Sequence, residues 1–337
     1  MKIYILNTTK SGTNIIKILK KKIRISGIIG LYKKNNFKNI SDYLNQKNFC
    51  KFNNINYTEV KSYSLNNISD INKITKLKID ILIVLGWQRL IPDWLIDHCK
   101  IFPIGSHGSP AGITKGRGRS PQNWSIILGL KKFIISIFKI DNNVDSGDVI
   151  KSKTFKISTY DNIQTSYYKC SILIASMIID LLKRKTLKGI KFKKQINNKA
   201  EYFPKREPND GLIDWNRKND DIYNFIRGLT KPYPGAFSYI KKDKIIIWDA
   251  IPFDLKINNK LKPGTLFTIF YNKDFLVKTK DGFILIKSFE IEKKNLAILK
   301  DGAKFKKVIF RKQIKKILNK NKKKNSNFKI SKYLLNI

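Results

Sequence analysis

Between Gly105 and Asp148 the chain reads GSHGSPAGITKGRGRSPQNWSIILG, then an apolar run, then DNNVDSGD. The run before it, Ile101 to Ile104, is short and apolar and reads as a strand that delivers Gly105, Ser106 and His107 at its carboxyl end. After it, Gln122 to Leu128 has the length and apolar spacing of a helix, Phe133 to Ile140 of a strand, and Asp141 to Asp148 of an acidic loop. Strands alternating with helices define an α/β domain. His107 is one of 2 histidines in the chain, so imidazole chemistry has almost nowhere else to reside. A histidine oriented by a carboxylate is a general base of suitable strength, and the neighbouring loop offers Asp145 and Asp148. A lone histidine is more often structural than catalytic. The strand-end position, the flanking glycines and the nearby carboxylates favour chemistry here.

Upstream, Lys2 to Leu6 reads as a strand, Ser11 as a helix cap, and Ile15, Ile18 and Leu19 as a helix face before a second strand at Ile25 to Leu31. This is a βαβ unit. Its first turn carries Asn7, Thr8, Thr9 and Gly12 in place of G-x-G-x-x-G, so the dinucleotide fingerprint is missing. A helix near Ser41 to Gln46 and a strand at Tyr57 to Val60 lead to Ile79 to Leu85, whose unbroken apolar character suits a central parallel strand buried on both faces. Ligands of open α/β sheets sit beyond the carboxyl ends of strands. The next loop, with Trp87, Gln88, Arg89, Leu90 and Ile91, is therefore a candidate pocket wall, although Trp87 and Leu90 suit a core equally well.

Ile150 to Ile157 extends the sheet and Asp161 to Leu182 forms a long helix, completing a first domain over residues 1–200. A proline-punctuated connector follows at 201–218, then a β-rich domain at 219–310 with short strands near Lys244 to Trp248, Gly264 to Phe270, Phe275 to Lys280 and Phe283 to Phe289. Residues 311–337 form a lysine-rich tail, read as a surface helix or a disordered segment.

A length of 337 residues suits two domains, and 42% apolar content is ample for a core. The formal charge of +43 invites a polyanion partner. Lysine dominates over arginine, however, and is dispersed among asparagine and isoleucine, the signature of an A/T-rich coding sequence. Cys50, Cys99 and Cys170 are odd in number and far apart, which suggests neither disulfides nor a zinc site and points to a reducing, cytoplasmic setting. The N-terminus lacks the apolar run of a signal peptide, and no stretch of 18 apolar residues calls for membrane insertion.

The joint pattern HGS, KGRGRSPQNW and IDNNVDSGD, continued by YFPKREPNDGLIDW and KPYPGAF, resembles the formyltransferases that use 10-formyltetrahydrofolate. The resemblance covers most of the chain. It implies a Rossmann-like, mostly parallel sheet with helices on both faces and a smaller, OB-like β-rich C-terminal domain. It also implies His107 and Asp145 as catalytic residues and 10-formyltetrahydrofolate as co-substrate, with no metal. The folate pocket would be walled by Trp87 to Ile91 and by Ile140, Asp141, Asn142 and Val144 of the acidic loop.

One departure stands out, because the family's N-x-H motif puts its asparagine on Gly105, which has no side-chain amide to polarise the formyl oxygen. Losing one such donor typically costs about 100- to 1000-fold in rate. Ser106 would replace it only if the strand bends there, since residue 106 of an extended chain faces away from 105 and 107. A water in the vacated space is the other substitute. On this reading Ser106→Ala lowers turnover and Gly105→Asn raises it.

The GRGRSPQNW run and the connector resemble sugar-nucleotide formyltransferases, so the favoured acceptor is the amine of an amino-sugar nucleotide. Lys115 and Arg117 are candidate contacts to its phosphate. Initiator methionyl-tRNA stands second, supported by the charge, although YKKNNFKNI after Leu31 is a weak counterpart of the basic loop in the tRNA enzymes. Hydrolysis to formate and an inactive RNA-binding relative remain as further classes.

Overall fold

The computed structural model describes residues 1–32, 40, 42–184, 186–187, 189–255, 260–293, 295–324 and 327–335. Most of YKKNNFKNI and Ser41 lie outside these residues. The chain divides into two compact units, the first comprising Met1–Arg117, Phe133–Phe155 and Tyr167–Ala200, and the second Gly118–Lys132, Lys156–Ser166 and Glu201–Ile337.

The first unit opens with β1 (Ile3–Asn7), α1 (Lys10–Leu19) and β2 (Gly27–Leu31). It continues through α2 (Lys47–Phe52), β3 (Tyr57–Val60), α3 (Ile68–Thr75), β4 (Ile81–Leu85), α4 (Asp93–Asp97) and β5 (Phe102–Ser109). After the two-residue β6 (Arg117–Gly118) and α5 (Pro121–Ile127) come β7 (Lys132–Lys139), β8 (Val149–Lys156) and α6 (Ile163–Leu182). Seven strands form one sheet in the order β3-β2-β1-β4-β5-β7-β8. The pairs from β3 to β5 are parallel, and β7 runs antiparallel to β5. The order reverses at β1 and β4, and such a switch point is where open α/β sheets bind ligands. Thr8 Oγ1 ties the two strand ends together there by donating to Gly86 O at 2.8 Å.

Local chemistry moved several expected boundaries. Thr9 rather than Ser11 caps α1, accepting from Gly12 N, because Thr9 keeps the extended backbone that a cap requires. The helix expected near Ser41 to Gln46 forms instead at Lys47–Phe52, since Gln46 spends its side chain on Thr13 and Leu44 O. The strand expected to stop at Ile104 runs on to Ser109, paired throughout with β7. By length and composition α6 is apolar enough to cross a membrane, yet Ile174, Ala175, Met177, Ile178 and Leu181 are buried in the protein.

The second unit contains β9 (Tyr202–Phe203), α7 (Asn219–Leu229) and five strands, β10 (Ala236–Ile240), β11 (Asp243–Phe253), β12 (Leu266–Ile269), β13 (Phe275–Lys278) and β14 (Phe283–Ile291). Its sheet order is β10-β11-β14-β13-β12. The two edges are bridged by one segment: Lys306 N donates to Tyr239 O on β10, and Phe305 N to Gly264 O beside β12. That segment covers part of each open edge of the sheet.

Two parts of this unit differ from the expected division at residue 200. Residues 118–132 join it because Trp124 and Ile127 of α5 pack in the same core as Phe225 and Ile226 of α7, and Asn123 Nδ2 donates to Gly228 O at 2.8 Å. The lysine-rich tail is not solely a surface segment, for α8 (Phe310–Lys324) buries Phe310, Ile314 and Ile317 in that core while Lys312, Lys315, Lys316 and Lys320 face outward. Asp214 Oδ2 caps the start of α8 by accepting from Phe310 N at 2.8 Å. Ile314→Ala is accordingly expected to cost about 2–5 kcal/mol and Lys315→Ala no more than about 0.5 kcal/mol. Denaturant unfolding of the two variants checks this; equal midpoints would show that α8 contributes no core.

Candidate active site

β5 places Gly105 and His107 on one face and Ser106 on the other, because side chains alternate along a strand that here is continuous. Its register against β7 sets Gly105 opposite Phe138, Ser106 opposite Ile137 and His107 opposite Ser136. Ser106 therefore does not share the face of His107, and the bend that would have brought its hydroxyl round is absent.

The place beside Gly105 is filled. A Cβ at that position would lie 2.8 Å from Phe138 Cζ and 3.0 Å from Ile140 Cγ1, so the missing side chain leaves no room for a water. This corrects the expectation that Gly105→Asn speeds the reaction, because the asparagine would first have to displace the Phe138 ring.

The His107 imidazole is held at both ends. Nε2 lies 2.7 Å from Gly116 O and Nδ1 3.4 Å from Asp145 Oδ2. A carbonyl oxygen can only accept, so Nε2 carries a proton, and Nδ1 is the nitrogen that faces the Asp145 carboxylate. Both side chains are only partly open, 12% and 21% exposed, which suits groups that meet a substrate in a cleft. The Gly116 carbonyl reaches the ring because its segment lies hard against β5: a Cβ at residue 116 would fall 2.0 Å from Ser109 Cβ. Ser109 Oγ in turn donates to Gly112 O at 2.6 Å, which shapes the same loop.

The acidic loop is equally constrained. Asp145 has φ of 51°, in the left-handed region that an aspartate adopts at some cost. Gly147 lies against the end of β7, where a Cβ would be 1.7 Å from Lys139 O. Asp141 folds the start of the loop by accepting from Ser146 Oγ and Asn143 N.

Of the expected pocket walls, Arg89, Leu90, Ile91 and Asn142 line one groove of about 570 Å³, together with Ser64, Asn66, Pro92, Asp93 and Trp94. Neither His107 nor Asp145 lines this groove, so the two sets of residues adjoin through the acidic loop and do not form one cavity. Trp87 is buried, its ring edge-on to Tyr63 at 4.9 Å, and belongs to the core. Gln88 contributes its backbone, donating to Tyr63 Oη at 2.7 Å. Ile140 is buried beneath Gly105, while Val144 is half-buried in the loop. Among the described residues, no group of three or more His, Cys, Asp and Glu side chains is placed to hold a metal ion.

The two basic candidates separate. Lys115 is exposed, whereas Arg117 is only 3% exposed and donates through Nη2 to Gln195 Oε1 and Asn197 Oδ1 at 2.9 and 2.7 Å. Arg117 braces its loop and is not presented to an acceptor phosphate. Gln195 and Asn197 had no sequence signal, as they sit in a polar stretch without periodicity.

A mostly parallel sheet containing the order 3-2-1-4-5, with helices packed on it, defines a Rossmann-like α/β fold, and His107 on β5 meets Asp145 of the acidic loop beside it. The formyl transferase profile matches residues 2–180 and that of the formyl transferase C-terminal domain residues 205–304, so the chain belongs to the formyl transferase family. It is similar to the bifunctional polymyxin resistance protein ArnA of Wigglesworthia glossinidia brevipalpis, 36% identical over 209 residues, which are 60% of this chain and 30% of that protein. The chain thus spans under a third of that relative. It is also similar to the methionyl-tRNA formyltransferase of Fusobacterium nucleatum, 30% identical over 298 residues, 87% of this chain and 93% of that one. Among solved structures, an N-formyltransferase from Helicobacter canadensis in complex with folinic acid and dTDP-3-aminofucose shares the fold at a TM-score of 0.59 and 19% identity, over 86% of this chain and all 100% of that one.

Two substitutions test the β5 geometry. Gly105→Asn alone is expected to cost about 1–3 kcal/mol through overpacking, and Gly105→Asn with Phe138→Val to recover most of the loss in thermal midpoint. Ser106→Ala leaves turnover unchanged; a fall in kcat would return Ser106 to the site.

Proposed function

We propose that this protein transfers the formyl group of 10-formyltetrahydrofolate to a primary amine, with His107 and Asp145 as the catalytic pair. The observation that carries the reading is the placement of the His107 ring between Gly116 O and the Asp145 carboxylate. With Nε2–H engaged by Gly116 O, Nδ1 is the basic nitrogen, and it opens toward Asp145 Oδ2 across 3.4 Å, longer than an ordinary hydrogen bond. An acceptor amine seated between the two is oriented by the carboxylate and deprotonated by the imidazole.

The steps balance as follows. The amine nitrogen attacks the formyl carbon, a C–N bond forms, and the carbonyl pair becomes an oxyanion. The amine proton passes to Nδ1, giving an imidazolium that Asp145 stabilises. Collapse restores C=O and breaks the bond to N10 of the folate, which takes the proton from the imidazolium and leaves as tetrahydrofolate. Gly105 supplies no side-chain donor to the oxyanion. The groove of Arg89, Leu90, Ile91 and Asn142 suits the folate, whose flat ring system needs an apolar wall and a few polar contacts.

The favoured acceptor is an amino-sugar nucleotide, carried by the GRGRSPQNW and YFPKREPNDGLIDW runs. The complex of the H. canadensis enzyme, with a folate and an amino-sugar nucleotide together, is of the same kind. Methionyl-tRNA is the second reading, favoured by 93% coverage of a methionyl-tRNA formyltransferase and by the net charge of +43. The reaction belongs in the cytoplasm, where the free thiols of Cys50, Cys99 and Cys170 stay reduced.

The deciding assay follows tetrahydrofolate release from 10-formyltetrahydrofolate without acceptor, with a panel of nucleoside-diphosphate amino sugars, and with methionyl-tRNA. Release that depends on an amino-sugar nucleotide is expected, and His107→Ala and Asp145→Asn are each expected to lower kcat by about 100- to 10,000-fold. Release that depends on tRNA alone would replace the favoured acceptor with the second, and acceptor-independent release would contradict both.

A further inference from the structure

Gln195 is a half-buried side chain in a run of exposed ones, since residues 191–194 and 196–199 all face solvent. The segment that carries it is pinned to the start of β8, where Lys193 and Val149 exchange backbone hydrogen bonds at 2.9 Å in both directions. From there the carboxamide reaches between the two loops that hold His107. Its Oε1 accepts from Thr114 Oγ1 at 3.0 Å and from Arg117 Nη2 at 2.9 Å, on either side of Gly116 in sequence. Its Nε2 donates to Asp145 O at 2.9 Å and to Gly147 O at 2.7 Å, in the acidic loop.

A glutamine amide has two donor hydrogens and two acceptor lone pairs, and here all four are used. The orientation is unique, because a flipped amide would set its NH2 against the Arg117 guanidinium and its oxygen against two carbonyls. The loops it joins are those whose separation fixes the catalytic geometry: Gly116 O sets the tautomer of His107, and Asp145 presents the carboxylate from a left-handed backbone that needs external support.

We infer that Gln195 is a positioning residue of the His107–Asp145 site, a carboxamide clamp that sets the distance between the imidazole and the carboxylate. The inference rests on the formyl-transfer reading for its kinetic consequence only. Gln195 touches no reacting atom and acts through the loops on either side.

Two substitutions separate the halves of the clamp. Gln195→Glu keeps both acceptor contacts, to Thr114 and to the Arg117 cation, but cannot donate to the Asp145 and Gly147 carbonyls. Gln195→Met loses both halves at similar length. With the acceptor on which the wild-type protein turns over, and at a temperature at which the variant stays folded, Gln195→Glu is expected to retain the KM for 10-formyltetrahydrofolate while kcat falls about 10- to 100-fold, the size of effect that a small misplacement of a catalytic group produces. Gln195→Met is expected to lose at least as much. Wild-type kcat in Gln195→Glu would overturn the inference, as would a loss that merely tracks the fraction of unfolded protein.

A readout without turnover keeps the two proposals apart. In protein labelled with 15N-histidine, the His107 signal should move in both variants while that of His98, bonded to Leu77 O at 2.8 Å, stays in place. An unmoved His107 signal in both variants overturns the clamp whatever the fate of formyl transfer. A moved signal in a protein whose wild type releases no tetrahydrofolate upholds the clamp and contradicts the transfer.

Discussion

The hydrogen bond from His107 Nε2 to the Gly116 carbonyl is the contact on which the proposed site depends, because it leaves Nδ1 as the nitrogen that faces Asp145. It is made possible by the close packing of the Gly116 segment against β5. Residue 116 must lie against Ser109 on β5, and only a glycine permits that approach. The sheet contributes the other half, since an unbroken β5 paired with β7 fixes the face on which the imidazole emerges. A rigid strand and a tightly packed loop together hold a side chain that its own rotamer freedom would otherwise leave poorly aimed.

The cross-strand pair of Gly105 and Phe138 imposes a second constraint. An aromatic ring occupies the direction in which an amide would project, so the face beside His107 is apolar where the family motif is polar. On the proposed formyl-transfer reading, the electrostatic work at the reacting carbonyl falls on fewer groups, and the placement of Asp145 matters more. Its left-handed backbone and the close approach of Gly147 to β7 show a loop held by several independent contacts. Functional loops stay in such conformations only when their surroundings over-determine them.

Much of this was legible in the sequence, and the exceptions have physical reasons. Ile79 to Leu85 announced a central strand by its unbroken apolar run, and the C-terminal domain by several short strands at close spacing. His107 and Asp145 stood out through scarcity and family pattern, whereas the expected strand end at His107 lies instead at Ser109. Ser106 and Arg117 were misplaced because their roles hinge on tertiary geometry: one on whether β5 bends, the other on what fills the space beside a guanidinium. Gln195 was invisible, since a glutamine among lysines has neither periodicity nor a motif, and its importance arises only when two loops distant in sequence meet around it. The tail from residue 311 was read by its charge, while the isoleucines at 314 and 317 carried the packing signal.

The most direct measurement of the central claim is the tautomer of His107 in the resting protein, read from the 15N shifts and couplings of its two histidines at a pH where the rings are neutral. The arrangement described here predicts a proton on Nε2 and a lone pair on Nδ1. A proton on Nδ1 would mean that the Gly116 contact does not set the ring, and would contradict the assignment of His107 as a base facing Asp145.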